Sequence, residues 1–149
     1  MNQIESFKVD HRTLTPGVYV SRVDGDITTY DMRVVTPNTE PLLTNSELHS
    51  FEHMFATLIR NSAINRNVIY FGPMGCQTGF YLCVRNADNE EVAGVIQSVL
   101  REILAWDGEV FGKSEEECGN YQNLRLDAAK RVAETMLKNR KGIKTYQSF

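Results

Sequence analysis

Leu48, Phe51, Phe55, Leu58 and Ile59 recur at the three- and four-residue spacing that lines one stripe of a helix. Thr44, followed three positions later by Glu47, forms the capping-box pattern that opens such a helix, and the spacing predicts it to run to about residue 61. A second amphipathic stripe, from Val92 through Val95, Ile96, Val99, Leu100 and Ile103 to Leu104, begins behind Asp88 and Glu91 and stops at Trp106-Asp107-Gly108. A third covers about residues 123–139, with Leu126, Ala129, Val132, Ala133, Met136 and Leu137 inward. Elsewhere β-branched and aromatic runs predict strands at 6–9, 17–23 and 27–35, the last two joined as a hairpin by Asp24-Gly25-Asp26. Residues 68–71 and 79–85 read as two more strands around the Gly-rich turn Gly72-Pro73-Met74-Gly75-Cys76-Gln77-Thr78. Within the last strand Phe80, Leu82 and Val84 alternate with Tyr81, Cys83 and Arg85, which assigns Cys83 to packing. Strands interrupted by helices predict an α+β class: a single-domain sandwich over residues 1–149, helices packed on a mostly antiparallel sheet.

A chain of 149 residues suits one core, and neither repeats nor a Pro/Ser-rich linker divide it. Sixteen Lys plus Arg against nineteen Asp plus Glu leave a net charge of -3 and no basic block, so nucleic acid and membrane surfaces are not expected as partners. The opening MNQIESFKVD has no charged segment ahead of an apolar run, which points to the cytoplasm. Three cysteines without a secretory signal argue for thiols that are packed, metal-bound or reactive rather than for a disulfide framework. The chemistry is therefore sought among three His and three Cys.

His49-Ser50-Phe51-Glu52-His53 sits inside the first long helix, where positions i, i+3 and i+4 project to one side. Two imidazoles one turn apart can share a divalent metal, with the carboxylate of Glu52 beside the open position as base or acid. Cys118 is the best candidate for a third ligand, since thiolate and imidazole together suit Zn(II) or Fe(II); Glu115, Glu116 and Glu117 are its rivals. Cys76, between Gly75 and Gly79, can face a cleft, and a nearby metal would favour its thiolate as a base or nucleophile; otherwise it is a packed turn residue.

Leu48-His49-Ser50-Phe51-Glu52-His53-Met54-Phe55-Ala56, Pro73-Met74-Gly75-Cys76-Gln77-Thr78-Gly79-Phe80-Tyr81 and Cys118-Gly119-Asn120-Tyr121 together resemble the LuxS-type S-ribosylhomocysteine lyases. Ser6-Phe7-Lys8-Val9-Asp10-His11, Asp31-Met32-Arg33 and Pro37-Asn38 extend the likeness over nearly the whole chain. The resemblance implies cleavage of S-ribosylhomocysteine to homocysteine and 4,5-dihydroxy-2,3-pentanedione, a quorum-sensing signal precursor, within the activated methyl cycle. It implies one divalent metal per subunit on His49, His53 and Cys118, natively Fe(II), with Zn(II) or Co(II) as substitutes. Cys76 and Glu52 are the implied acid and base, Ser6, His11 and Arg33 the implied substrate contacts, and a homodimer with active sites at the interface the implied assembly. The sequence departs from the family's pattern at Gly72, where a Ser usually stands, and at Tyr70, where an acidic residue is usual. Two other readings compete: an inverted-zincin-like metallopeptidase, which needs a distant Glu as third ligand, and a metal-stabilised binding module, which needs a fourth protein ligand.

Overall fold

The computed structural model describes residues 1–39, 41–139 and 142–146. A one-turn helix, Glu5–Lys8 (α1), precedes the hairpin of Gly17–Asp24 (β1) and Ile27–Arg33 (β2), whose turn places Gly25 at φ +60°. Asn45–Ile59 (α2) leads to Val68–Pro73 (β3) and Gly79–Arg85 (β4), then Asn89–Ala105 (α3), Leu126–Lys138 (α4) and Ile143–Thr145 (β5). The strands form one open sheet in the order β3-β4-β2-β1-β5, antiparallel except where β5 runs parallel to β1. The class is α+β, helices packed on a mostly antiparallel sheet, as the hydrophobic pattern predicts.

Successive side chains of a strand face opposite sides, and here the two sides differ in chemistry. Tyr30 and Met32 of β2 with Phe80, Leu82 and Val84 of β4 join the buried residues of α2, α3 and α4 in one core. Its centre is aromatic: Phe51, Phe55, Phe71 and Phe80 stack or tilt on one another, with ring centroids from 4.5 Å (Phe55–Phe71) to 6.0 Å (Phe51–Phe71). Each buried Phe contributes about 1.5–3 kcal/mol relative to exposure, which ties α2 to the β3–β4 hairpin. The opposite side carries Asp31, Arg33, Tyr81 and Cys83; Asp31 and Arg33 are buried although charged.

Three local expectations change. Of the residues expected as a strand at 6–9, the first three fall in α1, which has no buried residue and no sheet partner and carries a Lys8–Glu5 ion pair of 3.0 Å, while Val9 is its extended C-cap. The last helix begins three residues later than expected, because Tyr121–Asn123 wind as a separate 3₁₀ turn. β5 has only three residues, too few for an alternation to register.

Candidate metal centre

α2 owes its start to a complete capping box: Glu47 N donates to Thr44 Oγ1 (3.1 Å) and Thr44 N to Glu47 Oε1 (2.9 Å). With Leu48, Phe51, Met54, Phe55 and Ile59 turned into the core, His49 and His53 fall on the flank of the same helix. Their rings meet edge to face, with centroids 4.6 Å apart. Cys118 arrives from the loop between α3 and α4, its Sγ 3.3 Å from His49 Nε2. The three potential ligand atoms lie within 4.8 Å of one another, and among the described residues this is the one His/Cys/Asp/Glu group so arranged. Glu115, Glu116 and Glu117 are not part of it; Glu117 instead accepts from Ser114 Oγ at 2.7 Å.

Each donor is prepared for a cation. His53 Nδ1 donates to the Phe111 carbonyl (2.8 Å) and His49 Nδ1 to the Asn123 side-chain oxygen, which puts the lone pair of each ring on Nε2, that of His49 facing Cys118 Sγ. Asn120 N donates to Cys118 Sγ at 3.4 Å, which holds the sulfur within the loop. The loop closes over His53 only because residue 112 is glycine: its φ is +71°, and a Cβ there would stand 2.9 Å from His53 Nδ1. Two neutral imidazoles and one thiolate at this separation fit a divalent metal with a free fourth position.

Glu52 is half-buried and lines, with His53, Thr57, Phe71, Phe111 and Glu117, an open cleft of about 540 Å³. Cys76 lines a different one. Its cleft of about 360 Å³ lies on the polar side of the sheet and is walled by Ser6, His11, Arg33 and Tyr81, so the structure brings four residues from distant parts of the sequence together. No residue lines both clefts. Cys76 is exposed at the tip of the β3–β4 turn, where Gln77 takes φ +65°. Gly79, not Gly75, is the glycine the packing requires: a Cβ at 79 would overlap the Met32 carbonyl, whereas at 75 it would meet open space.

Arg33 forms the floor of the Cys76 cleft. Its guanidinium grips Asp31 through Nε (3.1 Å) and Nη2, and Nη1 donates to Thr78 Oγ1 at 2.7 Å; that hydroxyl lies 3.0 Å from Cys76 Sγ. Burial works against the charge of Arg33, but Asp31 outweighs it, so the guanidinium is held protonated even more firmly than usual. Tyr146 Oη donates to Asp31 Oδ2 at 2.8 Å, and burial together with the Asp31 charge pushes that phenol up. Burial, then Asp31, also raises Tyr81. His11 Nδ1 donates to the Val9 carbonyl at 2.9 Å, and Ser6 sits on α1. Tyr70 is 54% exposed, and its phenol lies over Gly72, in the space that a Cβ there would take unless the ring moved aside.

Asn123, the Phe111 carbonyl, Thr78, Asp31 and Tyr146 were not singled out by sequence reasoning. Of these, Asp31 alone left a signal there, a charge at the i, i+2 spacing that puts it on one strand face with Arg33.

Two imidazoles from one helix and a cysteine sulfur from a loop, brought together in an α+β domain, form a group that could hold a single metal ion, as in metal-dependent enzymes. The model of the family described as S-Ribosylhomocysteinase (LuxS) matches residues 4–147, and the chain belongs to that family. An S-ribosylhomocysteine lyase of Finegoldia magna is 47% identical over 87% of this chain and 86% of its own. Those of Borrelia garinii subsp. bavariensis and Clostridium acetobutylicum are each 43% identical, covering 87% of this chain and 87% and 85% of theirs.

Proposed function

We propose that the protein is a metal-dependent S-ribosylhomocysteine lyase, releasing homocysteine and 4,5-dihydroxy-2,3-pentanedione. The observation that carries this reading is the convergence of His49, His53 and Cys118 within 4.8 Å in a chain of this family. Bound there, a divalent metal, Fe(II) with Zn(II) or Co(II) able to substitute, would polarise a sugar carbonyl and acidify the adjoining C–H. Glu52 and Cys76 then take and return the protons that move the carbonyl along the ribose carbons. Once the thioether is β to the carbonyl, loss of one more proton expels the homocysteine thiolate. Ser6 and His11 contact the substrate in the Cys76 cleft, and Arg33 acts there through the edge that faces Thr78 and Cys76.

Because Glu52 and Cys76 line separate clefts of one chain, we propose that the working unit is a homodimer in which the Cys76 cleft of one copy meets the metal cleft of the other. Exposed Ile4, Phe7, Ile69 and Tyr70 supply apolar surface for that contact. We further propose that the 149 residues act as one domain in the cytoplasm; among the described residues no helix is long and apolar enough to cross a membrane.

The test is to purify the protein anaerobically, measure bound metal, and titrate the thiol released after adding S-ribosylhomocysteine. Stoichiometric homocysteine release is expected. Metal-loaded protein that releases none would sink the lyase reading.

A further inference from the structure

Ser46, His49, Ser50 and His53 share one flank of α2, spaced so that each follows the last by one turn or one step. The segment carrying Cys118 is pinned along that flank at two points. Ser46 Oγ donates to the Asn123 carbonyl at 2.6 Å, and Arg125 N donates to Ser50 Oγ at 2.8 Å, with Ser50 fully buried. Leu124, also fully buried, anchors the turn between them. The backbone on either side of the Asn123 side chain is thus fixed, and that side chain is aimed at His49 Nδ1. An amide oxygen can only accept, so the proton is on Nδ1 and the lone pair is on Nε2, the atom that faces Cys118 Sγ at 3.3 Å.

We propose that Asn123 is a positioning residue for the metal: it sets the tautomer and ring angle of His49 while belonging to the same short segment as Cys118. The inference rests on the reading above that His49, His53 and Cys118 hold a divalent metal. Six residues of chain, Cys118 to Asn123, then supply one ligand and orient another, so ordering this segment on α2 assembles both at once. Asn123 also orients without adding charge. His53 is backed by a neutral carbonyl and His49 by a neutral amide, so Cys118 is the one anionic donor, and the centre keeps its positive character toward a substrate oxygen. Loss of a group that orients a metal-bound imidazole costs about 10–100-fold in metal affinity.

The experiment compares Asn123→Leu, Asn123→Ala and Asn123→Asp with the unsubstituted protein. Affinities for Zn(II) and Co(II), each added alone to metal-free protein, are measured by chelator competition, together with the Co(II) thiolate absorption and the thermal unfolding of the metal-free forms. Leu and Ala are expected to weaken both metals by about 10–100-fold and to change the Co(II) spectrum, with metal-free unfolding lowered only as far as the loss of one hydrogen bond requires. Asp, which can still accept the Nδ1 proton, should retain affinity at least equal to that of Asn. The proposal is overturned if Leu and Ala bind Co(II) as tightly as the unsubstituted protein with the same spectrum, or if Asp loses as much affinity as Leu. An unsubstituted protein that binds neither metal overturns the metal centre itself. One that binds metal as expected yet does not cleave S-ribosylhomocysteine leaves the role of Asn123 standing and removes only the proposed reaction.

Discussion

Cys76 and Cys118 are both free thiols, yet their surroundings separate their work. Cys118 lies against an imidazole nitrogen and accepts a backbone N–H, whereas Cys76 is exposed beside Thr78 and the edge of Arg33. Cys118→Ala should therefore empty the metal centre, while Cys76→Ala should keep the metal and abolish turnover; metal content and homocysteine release distinguish the two. Full turnover in Cys76→Ala would remove it from proton transfer. Arg33 is costly to disturb, because Asp31 behind it is wholly buried and ion-paired to it. Arg33→Met leaves that carboxylate without its countercharge and should destabilise the fold by about 3–5 kcal/mol, read from the shift in a urea unfolding midpoint.

At the scale of elements, α2 and the loop between α3 and α4 have different duties. α2 is held by its cap and by the phenylalanine cluster, so its histidines are presented by a rigid support. The loop must fold back over it, and Gly112 is the position where a side chain is excluded by both conformation and space. Gly112→Ala should weaken metal binding by about tenfold or more, since a displaced loop withdraws the Phe111 carbonyl from His53. Thermal unfolding of the metal-free protein should move far less, because Gly112 lies outside every helix and strand. Equal metal affinity in the variant would show that the loop has room to adjust.

For the whole molecule, the placement of the two clefts predicts a result no single site would give. Mixing inactive Cys76→Ala with inactive Cys118→Ala, under conditions that exchange subunits, should restore about a quarter of normal activity, since about half the dimers are mixed and each has one intact site. No recovery after proven exchange would mean that each chain completes its own site. A second global property is alkaline stability. Burial and the charge of Asp88 push Tyr30 up to about 12, and Tyr81 and Tyr146 are raised as well. Unfolded tyrosines ionise near pH ~10, so above that value the unfolded chain sheds protons that the folded chain keeps. The stabilisation from these neutral phenols is complete below about pH 10 and is lost as the pH climbs toward about 12. Urea midpoints should fall over that window, and Tyr30→Phe should flatten the fall. That variant also loses the 2.6 Å bond to Asn89, lowering stability at neutral pH by about 1 kcal/mol.

The sequence by itself determined the elements whose signals are local. The capping box and apolar stripe of α2, the alternation of β4 and the His49-Glu52-His53 spacing are set by neighbours a few residues apart, so pattern and structure agree. The α+β class followed from those elements; spacing paired His49 with His53, while Cys118 stood beside them as one candidate among Glu115, Glu116 and Glu117 until motif order along the chain favoured it. Only the tertiary structure decided what depends on partners far away in sequence. It turned residues 5–8 into a helix with no sheet partner, and added β5 as a three-residue strand beside β1. It set Asn123 behind His49, 74 residues away, and placed Glu52 and Cys76 in separate clefts on opposite sides of one sheet. Periodicity tells a side chain which face of its own element it occupies; which other element meets that face is settled by how the whole core packs.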